Sequence, residues 1–369
     1  MYATTIPQTL AMIAVHVYNI YREIDTPRPY YHAKCHTDVW IMGGQDKIYI
    51  GLLLGAGPDV SGPTRKALRE LIDHVFAAAQ ALIDSHDLKD EKDLLDVANT
   101  LARILEASEY TNAGKGSELT TDGTIECDSS VILSGRSRTF ASVGAVPDVG
   151  NPTALTTELV KLQLSENKTP RSTPNCIVGS GARDYGARLG VFSSAAEKNL
   201  ITDRAKQSFE KWSQVDSQRY MDTVGLILIH KGTTCVVSSS GGALLKDPGR
   251  VGPAFLVGCG LDSRERIASV CSGFGEDIVT ARLASLSCLP DLEMADLAEH
   301  VERVYLQRQP PQFGVLRSVQ CEGCHGVHFE WIHTTPSMVC AYGLATPQTE
   351  PQYCTVFSRR PEEGGNKVV

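Results

Sequence analysis

The run Thr223–Ser240, TVGLILIHKGTTCVVSSS, constrains the fold more than any other part of this chain. A hydrophobic strand is followed by a Lys-Gly turn and by a second strand-like run, which reads as an antiparallel hairpin. Similar strand runs lie on both sides of it. TIECDSSVIL and TFASVGAV precede it, and QFGVLRSV, GVHFEWIH and SMVCAYGL follow it. Between them lie amphipathic helices: PTRKALRELIDHVFAAAQALIDS from Pro63, EKDLLDVANTLARILEAS from Glu91, and PTALTTELVKLQ from Pro152. GARDYGARLG reads as a short helix ended by Gly190, and GEDIVTARLASLSCL and EMADLAEHVERVYL read as later helices. Hairpin-linked strands with grouped helices predict layered antiparallel sheets covered by helices, an α/β (α+β) architecture.

Composition limits the partners. The net charge is −8 and the pI is about 5.7, which argues against a general nucleic-acid binder. No apolar run reaches the length of a membrane span. The N-terminus lacks a basic region ahead of its short apolar stretch, so it does not read as a secretory signal. An intracellular location follows as an expectation: the cytoplasm, with the nucleus left open but no polybasic run to support it. The 11 cysteines then read mostly as reduced, buried thiols. CEGCH, Cys321 to His325, fits a haem-attachment pattern and half of a zinc pattern. Its place between two strands favours a hairpin turn, and no second metal-ligand pair follows. No cofactor is expected.

The chemistry concentrates at Asp222-Thr223, where a polar run from Val191 meets the hydrophobic strand. Such a junction suits a plain turn-to-strand transition. It also suits self-activation. A threonine hydroxyl needs a base, and the α-amino group of an N-terminal threonine is one known solution. Cutting the bond before Thr223 would free that amine, with an ordinary pKa of about 7.7–8.0. Nearby, SSSGG (Ser238–Gly242), KDPGRVG (Lys246–Gly252) and CSGFGE (Cys271–Glu276) supply hydroxyls, glycine turns and a lone arginine. Glycine turns can aim backbone N–H groups at an oxyanion, and Arg250 can grip a carboxylate through two hydrogen bonds.

DTVGLILIHKGTTCVVSSSGGALLKDPGRVG resembles the nucleophile region of the type 2 asparaginase family of N-terminal-nucleophile hydrolases. YTNAGKGSELTTDGTIECDSSVILSGRSRTFASVGAVPDVGNP resembles that family's N-terminal half, and IHTTPSMVCAYG its C-terminal end. The likeness covers most of Leu53 to Leu344. It implies a four-layer αββα sandwich of two stacked, mainly antiparallel sheets, and self-cleavage at Asp222-Thr223. It implies Thr223 as nucleophile, Ser240 as a tuning hydroxyl, and Ser272 and Gly273 as the oxyanion hole. It also implies Arg250 as the grip on a substrate carboxylate, Gly57 in the loop facing the nucleophile, and Asn112 and Gly114 beside the substrate.

Within the family, IECD (Ile125–Asp128) and the HTT-SM ending resemble the threonine aspartases, which cut proteins after Asp. Asp222 stands where asparaginases usually carry Gly. Pro253 stands where their PGRVGD motif places an Asp that binds a free substrate amino group. These features imply protein substrates with Asp before the cut bond. L-asparaginase or isoaspartyl peptidase activity on small substrates is the alternative, and a scaffold without activity is a third reading. The resemblance also implies self-association as αβ or (αβ)2. It divides the chain into an atypical segment 1–52, an α part 53–222 with a polar linker 191–222, and a β part 223–369. The linker reads as either a surface helix or a tether. QVD (Gln214–Asp216) within it resembles a target of aspartate-specific cleavage, but Ser217 follows where Gly is favoured.

The N-terminal part departs from the family. LAMIAVHV (Leu10–Val17) resembles the first strand, yet the glycine loop comes only at Gly55. Either Tyr18–Leu53 is an insertion or retained intron, or KIYIGLLLGAG is the true first strand.

Overall fold

The expected hairpin is the centre of the molecule. In the computed structural model, which describes residues 46–85, 88–165, 172–193, 200–213, 222–305, 311–322 and 326–359, the elements run as follows. They are β1 (Ile48–Gly57), α1 (Gly62–Ser85), α2 (Glu91–Glu106), β2 (Glu126–Ser134), β3 (Arg138–Pro147), α3 (Thr153–Gln163), β4 (Cys176–Val178), α4 (Gly179–Arg188), α5 (Asp203–Trp212), β5 (Val224–His230) and β6 (Thr233–Ser240). Then come β7 (Leu261–Arg264), β8 (Ile267–Gly273), α6 (Gly275–Ala281), α7 (Leu283–Ser287), α8 (Leu297–Tyr305), β9 (Phe313–Gln320), β10 (Val327–His333), β11 (Ser337–Ala345) and β12 (Gln352–Arg359).

One sheet has eight strands in the order β12-β11-β1-β5-β6-β2-β3-β4, and the other has four, β10-β9-β8-β7. Every pairing is antiparallel except β3 with β4. At the central hairpin, Lys231 and Gly232 both take positive φ, 48° and 81°. A two-residue turn needs that twist to return the chain without splaying the strands.

Period-2 alternation sorts the strand residues into two cores. Leu226 and Leu228 face α1, α2 and α3 with Ile50 and Leu52. Ile227 and Ile229 face the smaller sheet with Leu53, Val270, Leu316 and Phe329. A third core packs α6, α7 and α8 on the outer face of the smaller sheet through Ile278, Leu283, Val301 and Phe313. The result is the expected helix-sheet-sheet-helix sandwich.

Local chemistry explains the well-read elements. Asp90 caps α2, accepting the N–H groups of Lys92 and Asp93, while Asp93 returns a bond to the Asp90 N–H. Gly190 takes φ 72° after α4, as a helix C-terminal glycine should.

Other elements differ from the sequence reading. GEDIVTARLASLSCL is two helices, because Arg282 adopts the left-handed conformation (φ 48°) between α6 and α7. The strand β8 runs through CSG, read from sequence only as a turn. Among the described residues the first strand is β1, IYIGLLLGAG, which fills the slot between β11 and β5. The expected boundary at residue 53 therefore falls inside a strand. LAMIAVHV lies outside the described residues, as do Gln214–Asp216 and part of CEGCH. The two strands flanking CEGCH do pair, Gln320 with Val327. Part of the linker is the packed helix α5. Thr202 caps it, and Ala205 and Phe209 pack with Leu200 against Leu119, Ile125 and Cys127. No helix among the described residues is long and apolar enough to cross a membrane.

Candidate active site

Two glycines let the sheets approach closely beside the nucleophile strand. A Cβ on Gly225 would stand 2.7 Å from Val270, and one on Gly51 would stand 2.7 Å from Phe329. Thr223 leads into β5 at this narrow end. Thr223, Ser240 and Ser272 are nearly sealed from solvent, at 6%, 4% and 0% exposure.

The Thr223 backbone N–H donates to Ser272 Oγ at 2.9 Å. The same oxygen accepts the Ala56 N–H at 3.1 Å, so Ser272 ties the Thr223 nitrogen to β1. The Thr223 hydroxyl donates to Ser240 Oγ at 3.4 Å, and Ser240 Oγ also accepts the Gly242 N–H at 3.0 Å. The Thr223 hydroxyl thus faces an acceptor whose position the following turn sets.

Asn112 fixes that turn. Its Nδ2 donates to Gly242 O at 2.7 Å, its Oδ1 accepts the Glu118 N–H, and its carbonyl accepts the Gly241 N–H. The resemblance implies a place beside the substrate for Asn112 and Gly114. Every polar group of the Asn112 side chain is engaged within the chain. Gly114 (φ 54°) is pressed where a Cβ would come within 2.2 Å of Gly150 O and 2.5 Å of Glu106 O. Asn112 thus shapes the Ser240–Gly242 turn through its bonds to Gly241 and Gly242.

The glycine against the scissile aspartate is Gly55. Its φ is 133°, and a Cβ there would sit 2.4 Å from Asp222 Oδ1. Gly57 lies two residues further on, at the end of β1 and paired with Ser337. Lost hydration pushes the Asp222 carboxyl up to about 7; Arg204 of α5 pulls it down and Glu118 pushes it further up. Glu118 is itself raised by burial and opposed by Arg204, whose Nη2 lies 3.9 Å from it. The linker helix therefore brings a cation to the scissile residue.

Arg250 is paired with Glu276. Its Nε and Nη2 donate to Glu276 Oε1 at 3.1 and 2.7 Å. Its guanidinium is bracketed by glycines: a Cβ on Gly252 would meet Nη1 at 2.8 Å, and one on Gly275 would meet Nη2 at 2.4 Å. Buried Pro253 borders the same glycine, its Cδ 3.1 Å from the Gly275 Cβ position. Gly273 closes β8 with φ 131°, where a Cβ would come within 2.5 Å of Gln312 O. Only glycine fits that position.

Three residues near this site carried no role in the sequence reading. Gly55 is preceded by a string of leucines that reads as plain strand. Lys246 is buried and donates to Glu126 O at 2.8 Å. Asp128 is fully buried and lies opposite Ser240 in the β2–β6 pairing. The conspicuous signal for the last was a carboxylate inside an otherwise strand-like run.

A family model described as asparaginase matches residues 58–347. The isoaspartyl peptidase/L-asparaginase of Rattus norvegicus is 32% identical over 242 residues, covering 63% of this chain and 68% of that protein. The protein of the same name from Homo sapiens is 30% identical over 236 residues, covering 62% of this chain and 72% of its own. The isoaspartyl peptidase of Salmonella typhimurium strain LT2 is 30% identical over 302 residues, covering 77% of this chain and 89% of its own.

Proposed function

This chain belongs to the asparaginase family, and we propose that it is a self-cleaving threonine hydrolase acting on amide bonds of aspartyl groups. The observation that carries this reading is the setting of Thr223: its hydroxyl directed at Ser240 and its backbone N–H held by Ser272. In the self-cleavage step, Thr223 Oγ attacks the Asp222 carbonyl carbon and the Asp222–Thr223 C–N bond breaks. The hydroxyl proton passes to the departing nitrogen. Water then hydrolyses the resulting ester, leaving an Asp222 carboxylate and a free Thr223 amine. That amine is the base for later turnovers. Arg250, on the turn before Pro253, is the group that receives the aspartyl carboxylate of a substrate.

For the substrate, the relatives favour the isoaspartyl peptidase and L-asparaginase reading, since those are the activities in their names. A second reading, an endopeptidase of the threonine aspartase (taspase) type, is favoured by two residues of this chain. Asp222 precedes the nucleophile, so self-cleavage itself occurs after Asp. Pro253 supplies no carboxylate for a free substrate amino group beside Arg250, and a peptide nitrogen needs none.

The test uses self-cleaved protein with three substrates: L-asparagine, an isoaspartyl dipeptide, and a peptide carrying an apolar-Asp-Gly sequence. Ammonia from the first or cleavage of the second supports the small-substrate reading. Cleavage of the third after Asp supports the endopeptidase reading. Fully self-cleaved protein that hydrolyses none of them would sink the proposal.

A further inference from the structure

We propose that Asp128 is a positioning residue that fixes the Arg250 guanidinium for substrate binding, acting through the Gly252 backbone. The proposal rests on the reading of Arg250 as the carboxylate-binding group.

Asp128 sits at a bulge in β2, where the pairing with β3 shifts register between Cys127 and Ser129. A bulge re-aims a side chain out of the regular ladder. Here the two carboxylate oxygens reach different elements. Oδ1 accepts the Ala145 N–H at 2.8 Å, and Oδ2 accepts the Gly252 N–H at 2.7 Å. On its other edge the Asp128 backbone pairs with Ser240, the residue that accepts the Thr223 hydroxyl. One buried residue therefore links the nucleophile's partner strand to the arginine turn.

The link to Gly252 is specific to that turn. Gly252 lies two residues after Arg250, and the guanidinium folds back over it, as the 2.8 Å approach of Nη1 to the Gly252 Cβ position shows. Gly275 limits the guanidinium on the other side. A shift of the Gly252 backbone would therefore move Nη1 directly. Burial pushes the Asp128 carboxyl above its usual range, opposed by Lys246, by the Ala145 and Gly252 N–H groups and by Arg250. A buried carboxyl whose two oxygens each accept a backbone N–H from a different element ties those elements together more directly than packing does.

The experiment measures kcat/KM for whichever of L-asparagine, the isoaspartyl dipeptide and the Asp-Gly peptide the wild-type protein hydrolyses. Four proteins are compared: wild type, Asp128→Asn, Arg250→Lys, and the double variant. Asp128→Asn is expected to lower kcat/KM about tenfold or more, mainly through KM, as one buried N–H loses its acceptor. In the Arg250→Lys background the same change is expected to lower it less than about twofold, because neighbours acting through one group are not additive. Equal effects in both backgrounds, or no effect in either, would overturn the proposal.

If Arg250→Lys matches wild type, or if the wild type hydrolyses none of the three, the arginine reading falls and takes the proposal with it. If Asp128→Asn fails to fold, the comparison is made in an Ala145→Gly background. Glycine relieves the left-handed strain at Ala145 (φ 48°) without touching Gly252. Failure to fold there as well would assign Asp128 to the fold and refute the positioning role.

Discussion

Replacing Ser272 with alanine separates the chemistry at the junction from the fold around it. Ser272 Oγ is the acceptor for two buried N–H groups, those of Ala56 at 3.1 Å and Thr223 at 2.9 Å. The residue is completely buried, so water cannot replace it. An orphaned buried donor costs about 1–3 kcal/mol, and two predict a loss of stability of about 2–6 kcal/mol. Only the bond to Thr223 touches the scissile nitrogen. Losing its share, about 1–3 kcal/mol, slows self-cleavage about fivefold to 150-fold. Ser269→Ala is the control. It lies on the same strand, is equally buried, and donates to Ala284 O at 3.0 Å, away from the junction. The assay is a time course of the 40.0 kDa band on a denaturing gel, paired with thermal denaturation. Ser272→Ala should cleave slowly and Ser269→Ala at the wild-type rate. Cleavage of Ser272→Ala at the wild-type rate, or equal slowing of both, would refute the reasoning.

Three further outcomes follow from the geometry. Arg250→Ala should leave self-cleavage intact, because Arg250 is paired with Glu276 in the uncleaved chain, yet reduce hydrolysis of added aspartyl substrates about 100-fold or more; loss of both activities would place Arg250 in the precursor's own reaction. Gly55→Ala should block or strongly slow self-cleavage, since a methyl at φ 133° meets Asp222 Oδ1 at 2.4 Å, and unchanged cleavage on a gel would remove Gly55 from the site. Burial raises the Asp222 carboxyl from 3.8 to about 7, so ionisation weakens the folded precursor as pH rises through that window. The uncleaved Thr223→Ala protein should be less stable at pH 8 than at pH 5 by up to about 2.5 kcal/mol from this group, and adding Asp222→Asn should remove that difference in denaturant titrations.

Much of this account was legible in the sequence because the relevant signals are local. The central hairpin, α1, α2 and α3 follow from periodicity, and Thr223, Ser240 and Ser272 stand in short motifs that also converge in space. What was not legible depends on long-range packing. β8 was hidden because CSG reads as a turn until β9 is beside it. The break at Arg282 depends on a left-handed residue that no glycine announces. Gly55, rather than Gly57, meets the aspartate because of the bulge between Leu53 and Gly55 in the pairing with β11. The bonds by which Asn112 holds the turn at Gly241 and Gly242 span 130 residues of sequence, so no local pattern announced them. Asp128 gained a role only when Ala145 and Gly252 were seen converging on it.

The most direct test of the central claim is whether Thr223 becomes an N-terminus by its own action. Purified chain, incubated and resolved on a denaturing gel, should divide into pieces of about 24 and about 16 kDa, in proportion to residues 1–222 and 223–369. Sequencing of the smaller piece should begin Thr-Val-Gly, and the Thr223→Ala protein should remain whole at 40.0 kDa. A Thr223→Ala protein that still splits after Asp222 would contradict the account.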